Sequence, residues 1–285
     1  MSKIEEMTFK VVDFLSKYGR FPAIKEVDER ILRAEQRLQN RLLRVQAGLE
    51  SEFLRALRER GYIPSTPNER LRFVSLILDI PLEEMREVIA DEAVEGAELG
   101  RQMTLLDLLE QGFQIAFDSF SEEVKTILWE RIYTFSKSTI ERIKGDFAHT
   151  LAKGYEEGLG IDEIAKDLRV EFKNLRHYQL HRIARTEVLS AQNEGSQRTM
   201  REYGVKYKQW LTVNDSRVRG RKPKDRYDHI SLHGQVVEVD EPFSNGLMYP
   251  GDKRGDKGDI INCRCRARPY IPRKNEIILT TPYYP

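Results

Sequence analysis

Cysteine is scarce in this chain, and long apolar runs are missing. Two cysteines occur in 285 residues, which is too few for a secreted domain held by disulfides. No apolar run approaches the ~20 residues that cross a bilayer, so we expect no contact with a membrane. The first residues also lack the basic and apolar regions of a secretion signal. These absences predict a protein that is made in a reducing cytoplasm.

Net charge is nearly absent as well, because 47 basic side chains are balanced by 46 acidic ones. The charges are unevenly spread along the chain. Residues 205–285 carry 16 basic and 10 acidic side chains, whereas residues 1–204 carry 31 and 36. The chain is long enough for two domains with cores of their own. The uneven spread indicates two surfaces with different partners.

The first half of the chain has the pattern of helices. Between Pro22 and Gly61, apolar residues recur at steps of three, four and seven, which places them on one helical stripe. They are Ile31, Leu38, Leu42, Val45, Leu49, Phe53 and Leu57. The pattern predicts one helix, roughly 50 Å long at a rise of ~1.5 Å per residue. Its stripe packs either on its own chain or on a partner.

Turn residues divide the following hundred residues. Thr66 and Glu69 have the spacing of a capping box, with proline at the first helical position. A helix cannot continue through Pro81, so we predict several shorter helices. They run from Pro67 to Ile80, from Leu82 to about Gly100, from Thr104 onwards, and from a cap at Ser119 towards Gly154.

The pattern changes after Gly204. Before it, a short amphipathic helix at 161–165 and a long helix from about Asn174 to Tyr203 are predicted, with Gly204 as the helix stop. After it, alternating apolar residues predict strands, which are Val205–Leu211, Gln235–Val239 and Arg264–Tyr270. Residues 246–258, rich in glycine and charge, are expected to form an exposed loop. Three short strands after a long helix predict a small α+β module.

The predicted fold class is therefore mainly α, with a small C-terminal α+β module and an elongated helical N-terminal region. The predicted domains are a helical region at 1–153, a hinge with the long helix at 154–204, the module at 205–273 and a tail at 274–285. The tail is apolar and aromatic. It either docks on a partner or folds back on its own domain.

Short sequence signals follow one another in a fixed order across the last third of the chain. They are Arg185-Thr186-Glu187, Trp210, the run Asp215–Arg219, His233, Tyr249–Asp252 and Asn262-Cys263-Arg264-Cys265. Over roughly residues 150–272 their order and spacing resemble the phage head morphogenesis domain, the family of minor head proteins named after protein F of phage Mu. The motif residues that this resemblance marks as structural are Arg185, Glu187, Trp210, Asp215, His233 and Asn262.

The resemblance implies a component of a virion and not an enzyme. Its expected role is that of a minor capsid protein of a tailed phage or prophage, present in several copies inside the head. The expected partners are the portal protein, the capsid or scaffold, and double-stranded DNA during packaging or ejection. Before assembly the protein would be in the host cytoplasm. Arg185 and Glu187 do not share a helix face, so each is expected to reach a different partner on the following module.

Basic residues are concentrated between positions 217 and 226, where six of ten residues are basic and one is acidic. They are Arg217, Arg219, Arg221, Lys222, Lys224 and Arg226. Gly220 and Pro223 predict that this segment, here called the basic loop, is not a helix. A basic loop suits sequence-independent contact with DNA phosphates. The alternatives are a solvated loop and a loop that contacts an acidic protein surface.

Two histidines and two cysteines offer the ligand types of a tetrahedral zinc site. They are His229, His233, Cys263 and Cys265. Two cysteines separated by one residue on a strand point to one face, where they can also be small buried side chains. Some family members carry an additional Cys-x-x-Cys and a His-Pro, and this chain has arginine and aspartate where those cysteines would stand. We expect no resident cofactor, with zinc as the alternative.

A rival interpretation starts at Tyr227-Asp228-His229-Ile230. Such an Asp-His-Ile, followed by Asn245 or Asn262, is similar to the metal-dependent HNH nucleases, where histidine activates water and a later histidine or asparagine holds the metal. The paired Cys-x-x-Cys of those enzymes is absent, and no histidine follows His233. A nuclease acting through His229 and His233 is therefore the alternative function.

Overall fold

The computed structural model describes residues 23–213, 215–273 and 276. Its elements, in chain order, are α1 (Ile24–Arg60), α2 (Pro67–Glu110), α3 (Glu122–Glu156), α4 (Ile161–Asn174), α5 (Leu180–Glu202), β1 (Tyr207–Leu211), β2 (Val236–Glu238), α6 (Lys257–Ile260) and β3 (Arg266–Tyr270). The mainly α fold with a small C-terminal module is confirmed. The tail predicted at 274–285 lies outside the described residues, apart from Glu276. Among the described helices, none combines the length and the apolar character needed to span a membrane.

The described residues form two compact units, each built from separate pieces of chain. The first unit comprises the described residues within 1–34, 93–125 and 185–285, and the second comprises 35–92 and 126–184. Helices α1, α2, α3 and α5 contribute residues to both units. These units therefore divide the chain differently from boundaries drawn at 153 and 204.

The second unit has an aromatic core. The ring of Phe53, on α1, lies 5.8 Å from that of Phe73 and 5.6 Å from that of Phe147, measured between centroids. Phe172 of α4 completes the cluster, 4.7 Å from Phe147. The stripe predicted for α1 is buried at every position except Val45, which is half-buried. This stripe therefore packs on its own chain.

The first turn of helix α2 is held as the sequence predicted. The backbone N–H of Glu69 donates to Thr66 Oγ1 at 3.2 Å, and the N–H of Thr66 donates to Glu69 Oε2 at 3.4 Å. This reciprocal pair is a capping box. At the start of α3, the cap is Ser121 and not Ser119, because Ser121 Oγ accepts the N–H of Val124 at 3.3 Å.

Helix α2 continues without a break to Glu110, so the helix ends predicted at Pro81 and Gly100 are wrong. Proline inside a helix removes one hydrogen bond and costs about 3 kcal/mol. Leu78 and Leu82, on either side of Pro81, are fully buried, and burial of each stabilises the helix by about 2 kcal/mol. Tertiary packing thus outweighs the local helix-breaking tendency.

Helices α4 and α5 are also joined more closely than predicted. A π-helical turn at Leu175–Gln179 connects them, so the chain is helical from Ile161 to Glu202. Gly204 follows with a φ of 64°, in the left-handed region that favours glycine as a helix stop.

The first unit contains a three-stranded antiparallel sheet with the order β2-β1-β3. Tyr207 of β1 is paired with Glu238 of β2 and with Tyr270 of β3. The three predicted strands are confirmed, each shorter than its sequence pattern. Side chains alternate along β1, so that Lys208 and Trp210 are both buried.

Residues 246–258 do not form the exposed loop that the sequence predicted. Tyr249 and Asp252 are 4% and 1% exposed, respectively, and α6 begins within the segment. The carboxylate of Asp252 accepts the N–H of Met248 at 3.1 Å and that of Arg254 at 3.1 Å. These hydrogen bonds pair the carboxylate with backbone groups of the same turn, so the charged side chain can be buried.

Within the first unit, helices α2 and α5 approach each other backbone to backbone. A Cβ on Gly195 would lie 2.0 Å from the carbonyl oxygen of Ala97, and one on Gly100 would lie 1.9 Å from that of Gln192. Neither site can hold a larger residue unless the helices move apart. The glycines inside α2 therefore serve packing and do not end the helix.

We predict that Gly195→Ala destabilises the protein by roughly 1–3 kcal/mol, the usual cost of overpacking. The matched control is Gly145→Ala in α3, where the added Cβ has no neighbour within 4 Å. That change should stabilise by up to about 1 kcal/mol, because alanine is the better helix former. Thermal and urea unfolding of both variants measure the difference. Equal midpoints for the two variants would argue against the close helix contact.

Candidate functional site

The buried polar face of α5 positions the segments of the C-terminal module. Ser190 Oγ donates to the carbonyl of Gly251 at 2.5 Å, and Gln197 Nε2 donates to that of Val239 at 2.6 Å. Asn193 makes two hydrogen bonds to the backbone at the start of β3. Its Nδ2 donates to the carbonyl of Cys265 at 3.0 Å, and its Oδ1 accepts the N–H of Ala267 at 2.9 Å. Buried polar groups require such partners, so this helix fixes where the module's backbone lies.

Two motif segments are attached to α5 as well. The carboxylate of Glu187 pairs with the ammonium of Lys253. The hydroxyl of Thr186 accepts the backbone N–H of Asn262 at 3.0 Å. Asn262 has a φ of 62°, in the left-handed region that asparagine tolerates better than most residues. Arg185, on the same helix, is half-buried.

A buried cluster of one histidine and two cysteines lies next to Trp210. His229 Nδ1 is 3.6 Å from Cys263 Sγ and 3.5 Å from Cys265 Sγ. His229, Cys263 and Cys265 are 2%, 6% and 4% exposed. The indole ring of Trp210 lies 5.3 Å from the imidazole ring, nearly perpendicular to it. We call these three ligand-type residues the His-Cys cluster.

The opposite nitrogen of the same histidine meets a carboxylate. His229 Nε2 lies 2.5 Å from Asp259 Oδ1, and Asn245 Nδ2 donates to Asp259 Oδ2 at 3.2 Å. A carboxylate can only accept, so Nε2 carries the proton that it donates. When the ring is neutral, the lone pair of Nδ1 therefore points towards the two sulfurs. Asp259 lies on α6 and is itself buried.

The electrostatics of the cluster favour one negative sulfur. Burial lowers the pKa of His229, but hydrogen bonds with Asp259 and Cys263 outweigh it and raise the pKa to about 9. A hydrogen bond from Cys265 and the nearby imidazole hold the pKa of the Cys263 thiol well below its usual range. The Cys263 sulfur and burial raise the pKa of Cys265. Of the two thiols, Cys263 therefore ionises more readily than Cys265, as the opposite directions of their pKa shifts indicate.

The structure separates His233 from the other three residues that were considered as metal ligands. Its Nδ1 accepts the backbone N–H of Thr212 at 3.1 Å, and its side chain is exposed. A spacing of four residues places two histidines on one face when the chain is a helix. The segment between His229 and Gly234 is instead a series of turns. The two histidines therefore do not converge on one nuclease-like centre.

Asp259 was not singled out from the sequence. It lies in a segment with several other acids, and nothing in the local pattern distinguishes it. Its role becomes visible only when α6 brings its carboxylate to the imidazole of His229.

The basic loop is a chain of turns that carries most of its charges outward. The side chains of Arg217, Arg221, Lys222, Lys224 and Arg226 are exposed. Arg219 is different, because its guanidinium donates to the carbonyl of Ile261. Asp225 Oδ2 closes the loop by accepting the N–H of Gly220 at 2.9 Å and that of Lys222 at 3.1 Å.

An ion pair holds the start of the basic loop. The carboxylate of Asp215 accepts two bonds from the guanidinium of Arg264, one of them at 2.6 Å. These bonds lower the pKa of Asp215 far below its ordinary value. Bidentate pairing of this kind also fixes orientation.

Lys208 is a buried cation in the middle of β1. Its ammonium donates to Gln197 Oε1 at 3.3 Å, to the carbonyl of Val239 at 2.9 Å and to that of Met248 at 2.7 Å. Three acceptors match the three N–H groups of an ammonium. Burial lowers the pKa of Lys208 to about 7, and the charges that act on it are Arg201, Asp240, Glu241 and Asp252.

Comparison with known proteins gives one matching family. Residues 146–268 match the family described as Phage Mu protein F like protein. A relative from Bacillus subtilis (strain 168), described as uncharacterized protein YqbB, is 26% identical over 301 residues, covering 96% of this chain and 88% of that protein. No solved structure gives a significant match.

Stability should depend on pH through Lys208. Its pKa is about 7 in the folded chain against an ordinary 10.5. Between these values the unfolded chain binds more protons, so the free energy of unfolding rises with pH across this window, by at most a few kcal/mol. Urea unfolding of the parent protein and Lys208→Met from pH 7 to 9.5 measures the rise, which should be smaller in the variant.

The control for this prediction is Lys166→Met, since Lys166 is exposed. It should keep the slope of the parent protein. If Lys208→Met and the parent protein show parallel pH profiles, Lys208 titrates as an ordinary lysine.

Proposed function

We propose a function from one premise, that residues 146–268 are a domain of the Phage Mu protein F like family. The family is one of phage head morphogenesis. The proposed protein is a minor capsid protein of a tailed phage or prophage, in several copies inside the head and associated with the portal protein. It assists DNA packaging or ejection. During assembly it is in the host cytoplasm.

The proposed contact with DNA is the basic loop. Among its exposed side chains, the proposed contacts are Arg217, Lys222, Lys224 and Arg226. The side chain of Arg217 is 70% exposed, and its guanidinium is 3.8 Å from the carboxylate of Asp215. Each lysine or arginine that neutralises a phosphate releases counterions, so the affinity depends steeply on salt.

The loop is built for contact with the DNA backbone and not for reading a sequence. Major-groove readers insert a helix or a two-stranded ribbon between the phosphates. The segment from 215 to 229 has neither element. Phosphate contacts position a protein without selecting a sequence. Non-specific binding suits a protein that acts on packaged DNA.

The proposed contact with capsid or portal protein lies on α2. Leu76 and Ile80 are 81% and 82% exposed. A spacing of four residues puts both on one face of the helix. Adjacent exposed apolar side chains are typical of protein contact sites. We propose the portal protein as the occupant, because the family supplies parts of the phage head.

Replacing Arg217, Lys222, Lys224 and Arg226 by glutamine should weaken binding to duplex DNA. The slope of log K against log salt should become shallower, by about 0.9 for each phosphate contact removed. Fluorescence anisotropy with two duplexes of unrelated sequence, at several salt concentrations, measures both effects. The loss should be the same for both duplexes.

The matched control removes four exposed charges elsewhere, at Lys137, Arg142, Lys166 and Lys173. It should leave the affinity and the slope nearly unchanged. If both variants lose affinity equally, binding follows net charge and the basic loop is not the site. If the parent protein does not bind duplex DNA, the proposed DNA contact is wrong.

Co-expression with the portal protein of the same phage, followed by native mass spectrometry, tests the proposed assembly role. The expected result is a complex with a small whole-number stoichiometry. Leu76→Asp with Ile80→Asp should abolish the complex, while the basic-loop variant should keep it. A protein that stays free in the presence of portal and capsid proteins contradicts the proposal.

A further inference from the structure

The His-Cys cluster has the dimensions of a metal site. A Zn–S bond of roughly 2.3 Å and a Zn–N bond of about 2.0 Å, at a tetrahedral angle of about 109°, place nitrogen and sulfur about 3.5 Å apart. The observed distances from His229 Nδ1 are 3.6 Å to Cys263 Sγ and 3.5 Å to Cys265 Sγ. All three ligand atoms lie within 4.8 Å of one another. We propose that these residues bind a zinc ion.

The surroundings of His229 support this assignment independently of the distances. A metal-bound histidine usually donates its other N–H to a carboxylate, which fixes the ring and its tautomer. Asp259 occupies that position at 2.5 Å from Nε2, and Asn245 holds the second carboxylate oxygen. Burying an unpaired carboxylate is costly. The hydrogen bond to Asp259 keeps the proton of the neutral ring on Nε2, which leaves the lone pair of Nδ1 directed towards the two sulfurs.

Trp210 provides a second observation, which two buried neutral thiols would not explain. Its indole N–H is fully buried and has no nitrogen or oxygen acceptor among the described residues. The indole ring lies beside the His-Cys cluster, 5.3 Å from the imidazole ring of His229 between centroids. Two thiolates around a divalent cation are neutral together, so the ion removes the charge repulsion between the sulfurs.

Zinc is the metal that this donor set favours. Thiolate and imidazole ligands select zinc over magnesium or calcium, which prefer oxygen. Three protein ligands leave one position of a tetrahedron for water or another ligand. Because all three residues are buried, the ion acts as a structural tie between the end of the basic loop and the start of β3. This inference does not depend on the proposed function.

The test is metal analysis of the full-length chain, expressed without a polyhistidine tag and purified without chelator. Mass spectrometry of the metal content should find one zinc per chain. His229→Ala and Cys265→Ser should lose it. His233→Ala is the matched control, because His233 is exposed and outside the cluster, and it should keep the zinc. Asp259→Asn should bind zinc about 10- to 100-fold more weakly.

Cobalt substitution keeps the test decisive if the ligand variants fail to fold. The parent protein loaded with Co²⁺ should show tetrahedral d–d bands and a strong sulfur-to-cobalt charge-transfer band, while both cysteines become slow to react with a thiol reagent. The proposal is overturned if zinc-treated native protein holds no metal and exposes two titratable thiols on unfolding. It is also overturned if His233→Ala loses zinc as His229→Ala does.

Discussion

The backbone contact between α2 and α5 is the constraint on which the first unit depends. Gly100 and Gly195 each place an α-carbon where no side chain fits against the opposite helix. The buried residues of α5 include many polar side chains beside apolar ones such as Val188 and Met200. Those polar groups must be satisfied, and they find acceptors in the carbonyls of Gly251, Val239 and Cys265. Helix packing thus determines where the sheet and loops of the module attach.

The elements that depend on local chemistry could be predicted from the sequence. The stripe on α1, the capping box at Thr66 and the alternation along β1 each follow from neighbouring residues. The continuity of α2 through Pro81 could not, because Leu78 and Leu82 outweigh a local penalty only once they are buried. Gly100 was predicted as a helix end for a similar reason, because its contact with α5 is visible only in the fold.

In the candidate sites, too, some features could be predicted from the sequence and others depend on the tertiary fold. Composition alone identified the basic loop and the residue types of a metal site. It could not decide which histidine joins the two cysteines, because the choice between His229 and His233 depends on turns that bring one ring inward. It also could not find Asp259, which is contributed by a four-residue helix. Arg219 counted as a DNA contact in the sequence but holds the carbonyl of Ile261.

One short stretch of chain holds the basic loop near its start and also holds the residues that flank it on both sides. Asp215 is bonded to Arg264, Arg219 to Ile261, and His229 lies against both cysteines. Residues 261–265 thus anchor the loop. Exposed cations on an anchored loop lose less conformational freedom when they meet phosphates than cations on a free one.

The backbone contact between α2 and α5 limits which part of the gene can be moved to another protein as a unit. The family match begins at residue 146, inside α3, and so omits the part of α2 that carries Ala97 and Gly100. Yet α5 rests its backbone on that part of α2. A gene fragment that encodes only residues 146–268 would contain α5 but not the part of α2 on which Gly195 packs. The stretch that matches the family is therefore smaller than the unit whose helices pack together, and a recombination event that moves this stretch must also bring α2, or a helix with an equally small contact face.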